Sequence, residues 1–258
     1  APARAEAPQP AARPAPQPVR DAPGELVPFN AIRRQTAQRL SESWRTIPMA
    51  VQAVEVDYAN VERVRSARKQ AFRERHGTAL TYLPFIARAV AIAIGDFPRV
   101  NGRVEGDGLA LSREVNLGIA VDLGQDGLVV PVVRNADELT VPGLARAIDR
   151  QVEKARSGRL SPDDLSGGTY SITNNGSFGT LFTVPLINPP QVAIMSTDAV
   201  RKRPVVVETE SGDSIAIHPV GVLAQSFDHR AFDGAYSASF LGRVKAILET
   251  RDWTGDFG

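Results

Sequence analysis

The stretch SFDHRAFDGA at residues 226–235 is the most informative part of this chain. It places His229 four residues before the carboxylate of Asp233, and Gly234 follows at once. An apolar, strand-like run precedes it and a helical pattern follows it, so the sequence predicts His229 at a strand-to-helix junction. Rigid elements hold chemically active groups at such junctions. Imidazole is also the side chain whose ordinary pKa lets it take and return a proton near neutral pH.

The residues around His229 allow a structural and a catalytic interpretation. A single histidine in a loop with apolar neighbours is more often a structural residue than a base. Asp233 is expected either to fix the tautomer of His229 or to hold the turn, and Gly234 permits backbone geometry that other residues resist. Asp228 and Arg230 are expected to pair with each other.

Composition limits the classes of function. The chain has 258 residues, 43% hydrophobic and 23% charged, which is typical of a soluble globular protein. A net charge of +1 offers no electrostatic footprint for nucleic acid or a membrane. The absence of cysteine excludes disulfides, thiolate metal sites and a cysteine nucleophile, and no metal site is expected. No run is long enough to span a bilayer and no signal-peptide pattern is present, so we expect a cytoplasmic protein.

Two regions differ in composition. Residues 1–25 hold eight Ala and seven Pro without apolar periodicity, which predicts a flexible linker to another module. Residues 26–258 are predicted to form the folded domain. Their pattern predicts helices at 30–43, 58–75, 81–97, 142–157 and 235–250, and strands near 51–56, 104, 109–111, 115–121, 128–133, 169–173, 192–196, 204–207 and 215–224. Early helices, later grouped strands and no βαβ rhythm indicate an α+β fold, two layers with a mixed sheet faced by helices.

A second stretch, GGTYSITNNGSFG at residues 167–179, reads as a strand that ends in a polar, glycine-flanked turn. Considered alone, it is an ordinary strand and loop. If His229 acts as a general base, however, a reaction in which an oxyanion develops also needs a hydrogen-bond donor aimed at that oxyanion. The hydroxyl and amide groups of this turn are candidates for that donor.

Together these stretches resemble a known family. The pattern Asp-His-Arg-x-x-Asp-Gly at 228–234, the 167–176 stretch and the Asn-Pro-Pro at 188–190 are similar to dihydrolipoyl acyltransferase cores of 2-oxo acid dehydrogenase complexes. Further matching blocks lie at 80–85, 116–122 and 127–131, so the resemblance covers residues 26–252. A more distant resemblance is to chloramphenicol acetyltransferase. The resemblance to the dihydrolipoyl acyltransferase cores implies a chloramphenicol acetyltransferase-like fold. It also implies acyl transfer from S-acyl-dihydrolipoamide to coenzyme A, with the lipoyl group supplied by a separate domain.

The resemblance also implies roles for individual residues. His229 would be the general base, Thr173 the oxyanion donor, and Asp233 a structural partner of His229. Contacts to coenzyme A would fall on Arg65, Thr81, Asp122, Asn174 and Ser177. One departure lies at residues 195–198, MSTD, where many relatives carry a glycine-bearing stretch. Asp198 is therefore left out of the predicted site.

The family resemblance implies an assembly as well. It suggests a homotrimer whose sites are shared between neighbouring subunits, further assembly into a cubic core, and partnership with decarboxylase, dihydrolipoyl dehydrogenase and lipoyl domains. Trp253 and Phe257 are either an inter-trimer knob or an ordinary edge anchor. Residues 176–179, 202–204 and 241–249 look closest to branched-chain members, while acetyl and succinyl members share most of the scaffold. The alternatives are a non-catalytic scaffold and a small-molecule O-acetyltransferase of the chloramphenicol type.

Overall fold

A computed structural model of the chain describes residue 24 and residues 26–124, 127–210 and 212–257. The proposed linker at 1–25 therefore lies, apart from residue 24, outside the described residues. The helices are α1 (Ala31–Thr46), α2 (Ala59–His76), α3 (Leu83–Asp96), α4 (Val141–Arg156) and α5 (Gly234–Thr250). The strands are β1 (Met49–Asp57), β2 (Gly102–Glu105), β3 (Gly108–Leu111), β4 (Leu117–Ile119), β5 (Val121–Asp122), β6 (Leu128–Val129), β7 (Val132–Val133), β8 (Tyr170–Asn174), β9 (Ala193–Thr197), β10 (Arg201–Thr209) and β11 (Gly212–Asp228).

Local sequence signals account for the helix boundaries. The side chain of Asn30 accepts a hydrogen bond from the backbone N–H of Arg33 at 2.7 Å, which caps α1 as predicted. The helix ends at Thr46, two residues before Pro48, because a proline ring disfavours helical geometry in the residue before it. Pro84 occupies the first turn of α3, where its missing N–H removes no helical hydrogen bond.

The main sheet has the strand order β1-β11-β9-β8-β4-β7, and β10 pairs with β11 outside this path. Strand β8 is parallel to both β4 and β9, whereas the other pairs of this sheet are antiparallel. Two small ribbons, β2-β3 and β5-β6, lie apart from it. The mixed sheet and the α+β class are therefore confirmed.

Helices cover one face of the sheet. Phe240 of α5 packs edge-on against Tyr170 of β8, with ring centroids 5.9 Å apart. On the same face, the side-chain amide of Gln225 donates to Ser237 of α5 at 2.9 Å. The opposite face is covered more thinly, by α1 and the segment around Ile187, whose carbonyl accepts a 2.7 Å hydrogen bond from Ser43. The predicted two layers are present, and this partial third cover is an addition to them.

Strand β11 is longer than the sequence pattern predicts because it serves two partners in succession. Its first half pairs with β10, from Gly212 to Val220, and its second half pairs with β1, from Val220 to Asp228. The first half pairs only with β10 and leaves apolar side chains exposed. Its sequence therefore lacks the alternation of apolar and polar residues that is expected of a strand with one buried face. Residues 128–133, predicted as a single strand, form two short strands, because β6 pairs with β5 and β7 pairs with β4.

The C-terminal segment anchors the edge of the helical layer. Trp253 is fully buried, packs against Phe85 with ring centroids 5.3 Å apart, and donates from Nε1 to the carbonyl of Leu248 at 3.3 Å. Asp256 accepts a 2.8 Å hydrogen bond from Arg251. Of the two roles considered for Trp253, the contacts support the edge anchor rather than the inter-trimer knob. No helix in the described ranges is long and apolar enough to cross a bilayer.

Replacing Trp253 separates these two roles. Trp253→Ala removes a fully buried indole and is expected to lower the free energy of unfolding by about 3–5 kcal/mol. Trp253→Phe keeps an aromatic ring against Phe85 and loses the indole N–H bond, so it should cost only about 1 kcal/mol. Urea unfolding measures both values. An unchanged unfolding curve accompanied by a smaller assembly in sedimentation would contradict the anchor role.

Candidate active site

The turn that carries His229 is fixed by a buried carboxylate. Asp228 ends β11 and is almost fully buried. Arg230 donates to it from Nη2 at 2.7 Å and from Nε at 3.0 Å, and the backbone N–H of Arg230 donates at 2.9 Å. The hydrogen bond to Asp228 raises the pKa of the Arg230 guanidinium. The predicted pairing of these two residues is confirmed, and it holds the backbone on both sides of His229.

His229 itself is held at the surface by its backbone and its ring face. Its backbone N–H donates to the carbonyl of Pro48 at 3.1 Å. The imidazole lies over Phe227, with ring centroids 5.6 Å apart, and its side chain is half exposed. Within the described part of the chain, no hydrogen bond engages either ring nitrogen. Both nitrogens are therefore available to a ligand or to another chain.

Asp233 does not hold the imidazole in the way the sequence suggested. Its nearest carboxylate oxygen lies 3.7 Å from Nδ1 of His229, which is beyond hydrogen-bond distance, and its side chain is 87% exposed. The expectation that Asp233 fixes the tautomer is thus not met within one chain. Its backbone carbonyl instead accepts the first hydrogen bonds of α5, from Tyr236 and Ser237, both at 3.1 Å. Asp233 anchors the turn through its backbone.

Thr173 lies near the other end of the sheet, one residue before β8 ends. Its side chain is partly exposed, and no hydrogen bond engages its hydroxyl within the described ranges. The residue lines a cavity of about 550 Å³ on the face that α1 covers. The cavity wall is mainly apolar and includes Ile32, Leu40, Leu123, Leu128, Val129, Val130, Leu186 and Ile194, with Arg39 as its one charged residue among those described.

Three candidate coenzyme residues lie near the end of the sheet that carries Thr173. Asn174 ends β8 and Ser177 follows it by three residues; both are exposed, and the side chain of Asn174 accepts the backbone N–H of Gly176 at 3.2 Å. Asp122 is also exposed, in β5, and its carboxylate accepts the N–H of Gly124 at 3.1 Å. That bond shapes a turn and leaves the second carboxylate oxygen open.

The other two candidates, Arg65 and Thr81, belong to the helical layer. Thr81 is exposed just before α3, next to Tyr82. Tyr82 packs against Tyr58, with ring centroids 5.3 Å apart, and Tyr58 directly follows β1. Because β1 runs antiparallel to β11, and β11 antiparallel to β9, the end of β1 lies at the same edge of the sheet as the end of β9. Both candidates therefore lie toward the Thr173 end.

Arg65 is already engaged in an ion pair that sequence reasoning missed. Its guanidinium donates to Glu62 at 2.7 and 2.9 Å and lies over the ring of Tyr82, 4.8 Å from the centroid. The hydrogen bond to Glu62 raises the pKa of Arg65. Partial burial raises the pKa of Glu62, but hydrogen bonds from Arg65 and Tyr82 outweigh it, so that pKa lies below its usual range. Burial, followed by the bond to Glu62, raises the pKa of Tyr82 to about 12.

The sheet register separates Thr173 from His229. Thr173 is aligned with Ser196 of β9, and Ser196 is aligned with Ala224 of β11. His229 lies five residues beyond Ala224, toward the end where β8 begins. With about 3.3 Å per residue and about 4.8 Å between strands, the two Cα atoms are about 19 Å apart. A single chain therefore carries two half-sites at opposite ends of its sheet, one with His229 and one with Thr173.

Sequence reasoning also left out three residues that the structure places around the candidate residues. Asp198, excluded because of its departure from the family pattern, is buried and accepts hydrogen bonds from hydroxyl groups of the loop after β8. Glu62 was missed, although its spacing three residues before Arg65 on a helix is a signal for an ion pair. Arg39 gave no signal, because a cation on an exposed helix face is ordinary.

Comparison with known proteins identifies the family of the chain. The family model for 2-oxoacid dehydrogenases acyltransferase (catalytic domain) matches residues 22–253. The chain belongs to this acyltransferase family. It is 38% identical to the lipoamide acyltransferase component of the branched-chain alpha-keto acid dehydrogenase complex of Bacillus subtilis, over 96% of the chain and 59% of that protein. It is 42% identical to the dihydrolipoyllysine-residue acetyltransferase component of the pyruvate dehydrogenase complex of Mycobacterium bovis, over 88% of the chain and 41% of that protein.

Solved structures show the same acyltransferase fold. A probable dihydrolipoamide acetyltransferase from Listeria monocytogenes superposes with a TM-score of 0.84 at 37% identity, covering 90% of this chain and 98% of that one. The cubic core of the pyruvate dehydrogenase multienzyme complex gives a TM-score of 0.83 at 30% identity, with 91% and 97% covered. The chain thus matches the solved cores nearly end to end, whereas it spans about half the length of the curated relatives or less.

The Glu62–Arg65 pair predicts an acid-dependent loss of stability for this acyltransferase domain. Because the folded-state pKa of Glu62 is lowered, the pair stabilises the fold above the ordinary glutamate pKa of about 4.3, and this contribution is lost as pH falls through the lowered value. Glu62→Gln should therefore unfold more easily than wild type at pH 7, and the difference should shrink toward pH 3.

Urea unfolding across this pH range, combined with Arg65→Gln and the double variant, measures the coupling. The two single losses should not add, since both remove the same pair. A difference between wild type and Glu62→Gln that stays constant from pH 7 to pH 3 would contradict the assignment.

Proposed function

We propose that this domain transfers an acyl group between the thiol of dihydrolipoamide and the thiol of coenzyme A, without an acyl-enzyme. The observation that carries the proposal is the pair of unengaged groups, the imidazole of His229 and the hydroxyl of Thr173, in a chain of this family. The absence of cysteine agrees with direct transfer, since no strong thiol nucleophile is present in the chain. The lipoyl group would come from a separate domain.

His229 acts as the general base. It takes the proton of the attacking thiol, whose ordinary pKa of about 8.5 leaves only a small fraction ionised at neutral pH. The sulfur then bonds to the thioester carbonyl carbon, and the bond from that carbon to the departing sulfur breaks. The protonated imidazole returns its proton to the leaving thiolate, so protons balance over the cycle.

Thr173 stabilises the tetrahedral intermediate between these steps. Its hydroxyl donates a hydrogen bond to the oxyanion that forms from the thioester carbonyl. Donors of this kind contribute about 3–4 kcal/mol to the transition state. In a solved relative, the dihydrolipoamide acetyltransferase of Azotobacter vinelandii, a serine, a histidine and an asparagine have been investigated for their role in the catalytic mechanism. That relative supports a hydroxyl and an imidazole working together.

The complete site forms between two copies of the chain. The separation of about 19 Å between Thr173 and His229 is too great for one thioester to contact both within one subunit. A closed ring places the His229 end of each subunit against the Thr173 end of its neighbour, and three copies give a homotrimer with three sites. The similarity to a cubic core supports further assembly of trimers. We propose that decarboxylase and dihydrolipoyl dehydrogenase subunits and lipoyl domains join this assembly and that it lies in the cytoplasm.

Coenzyme A is the substrate that we place at the Thr173 end, where exposed polar side chains can contact it. The hydroxyls of Thr81 and Ser177 and the amide of Asn174 suit the amide-rich pantetheine arm. Arg65 is the predicted phosphate contact, and its charge is already balanced by Glu62, so a phosphate there shares the guanidinium with that carboxylate. The exposed carboxylate of Asp122 suits a hydroxyl or amine donor of the coenzyme better than its phosphates.

A branched-chain acyl group is our proposal for the cargo. The cavity beside Thr173 has a mainly apolar wall, which suits an isobutyryl or isovaleryl chain. Relatives of branched-chain, acetyl and succinyl type are similarly identical to this chain, at 38%, 42% and 38%. Arg39 is the feature that would serve a succinyl carboxylate instead. A non-catalytic scaffold and a chloramphenicol-type O-acetyltransferase are weaker alternatives, since both half-sites and the family match are intact.

Complementation between two inactive variants tests the shared site. His229→Ala and Thr173→Val should each lower kcat about a hundredfold or more. When they are unfolded together and refolded as an equal mixture, about a quarter of the ring interfaces pair an intact His229 with an intact Thr173. Acyl transfer should then recover to about a quarter of the wild-type rate.

The control for this experiment is a mixture of His229→Ala with the double variant, in which no interface has an intact histidine. Mass spectrometry establishes that mixed trimers are present. If such mixed trimers show only the activity of the separate variants, both groups act within one chain and the shared site is wrong.

The acyl cargo is tested by comparing four donors. We expect kcat/KM for isobutyryl- and isovaleryl-dihydrolipoamide to exceed that for succinyl by a factor of about 10–100, because a mainly apolar wall disfavours the succinyl carboxylate. Among the uncharged donors the differences should be smaller, since a methylene or two is worth only about 1–3 kcal/mol. Acetyl should lie between them. Arg39→Gln should leave the branched donors unchanged. A succinyl preference in wild type that disappears in Arg39→Gln would assign the domain to succinyl transfer.

A further inference from the structure

Asp198 is a buried carboxylate beside the Thr173 half-site. Only 2% of the residue is exposed. The hydroxyls of Thr180 and Thr183 donate to the same carboxylate oxygen, the second at 2.8 Å, and Ser196 lies 3.2 Å from the other oxygen. Ser196 is the residue that pairs in register with Thr173. Asp198 therefore follows, by two residues, the β9 residue that is paired with the predicted oxyanion donor.

These bonds attach the loop at residues 175–186 to the end of β9. The backbone adds two more attachments, from Ala199 to the carbonyl of Thr180 and from Asn175 to the carbonyl of Thr197, both at 2.9 Å. A Cβ atom on Gly176 would lie 3.0 Å from the carbonyl oxygen of Asp198, so the loop passes directly against it. The loop supplies Asn175, Thr183, Pro185 and Leu186 to the wall of the cavity that Thr173 lines.

The carboxylate has no cationic partner in the part of the chain that the structure describes. Burial of an unpaired carboxylate is costly unless donors satisfy its oxygens, and here hydroxyls alone do so. The two hydroxyls that share one carboxylate oxygen, those of Thr180 and Thr183, belong to the loop, so the carboxylate attaches the loop to the end of β9. Its effect falls on the position of the loop and hence on the shape of the cavity.

We infer that Asp198 is a positioning residue of the oxyanion half-site. Its carboxylate holds the loop at 175–186 through Thr180 and Thr183 and so sets the distance between the cavity wall and the hydroxyl of Thr173. Asp198 makes no contact with the reacting atoms and acts through the loop. This inference rests on the acyl transfer proposed above.

Kinetics of matched variants test the inference. Asp198→Asn keeps the shape and removes the charge, and Thr183→Val removes one donor. Each should raise KM for the acyl donor and lower kcat/KM about tenfold, the change that 1.4 kcal/mol represents. Thr183→Ser keeps the hydroxyl and should restore both constants. The double variant should lose little more than either single variant, because both break the same contact.

Asp256→Asn is the control, since Asp256 is also a buried carboxylate but holds the C-terminal segment, away from this cavity. It should lower the melting temperature and leave KM unchanged. Amide hydrogen exchange supplies a readout without activity: Asp198→Asn should speed exchange at Asn175 and Ala199, and Asp256→Asn should not.

The outcomes are distinct. Raised KM with rescue by Thr183→Ser supports the positioning role. Unchanged kinetics in Asp198→Asn, or an increased kcat, overturns it, because the carboxylate is then only structural or opposes the oxyanion by its charge. A wild-type domain that transfers no acyl group between these thiols defeats the proposed function instead, while the exchange measurement still decides whether Asp198 holds the loop.

Discussion

The hydrogen-bonded register of β11 with its neighbours is the constraint on which the site depends. Its second half lies between β1 and β9, and the pairing with β1 ends at Asp228, which is buried. A slip of one residue would turn every side chain to the opposite face, so burial on both faces allows one register only. The same register fixes His229 at one end of the sheet and Thr173 at the other. The proposal that a second copy of the chain completes the site thus rests on strand pairing.

Much of the local structure follows from the sequence, whereas long-range placement does not. The cap at Asn30, the first-turn proline of α3 and the strand-to-helix junction at His229 are encoded in a few adjacent residues. The order of the strands is not, because pairing depends on which apolar faces meet after the chain has folded. The length of β11 shows this, since its first half has an exposed face that only pairing with β10 explains.

The candidate site shows the same division at the level of side chains. The resemblance to the family pointed to His229 and Thr173 as an imidazole and a hydroxyl suited to acyl transfer, but the sequence did not give the distance between them. The orientation of Asp233 depends on the start of α5, where its backbone rather than its carboxylate is used. Arg65 was predicted as a contact to coenzyme A, yet in the folded chain its guanidinium already forms an ion pair with Glu62, one helical turn earlier. Such competition between partners is decided by geometry.

The charge of Asp198 raises the question of whether its benefit exceeds its electrostatic cost. One strand spacing and a two-residue offset place the Cα atom of Asp198 about 8 Å from that of Thr173, which serves here as the separation of the two charges. At an effective dielectric constant of about 20, two unit negative charges at that distance repel by about 2 kcal/mol. A hydrogen bond to a charged group contributes about 1.5–3 kcal/mol, and two threonine hydroxyls donate to this carboxylate. Two such hydrogen bonds together exceed this repulsion, so the attachment of the loop offsets the electrostatic cost of placing a carboxylate beside the proposed oxyanion.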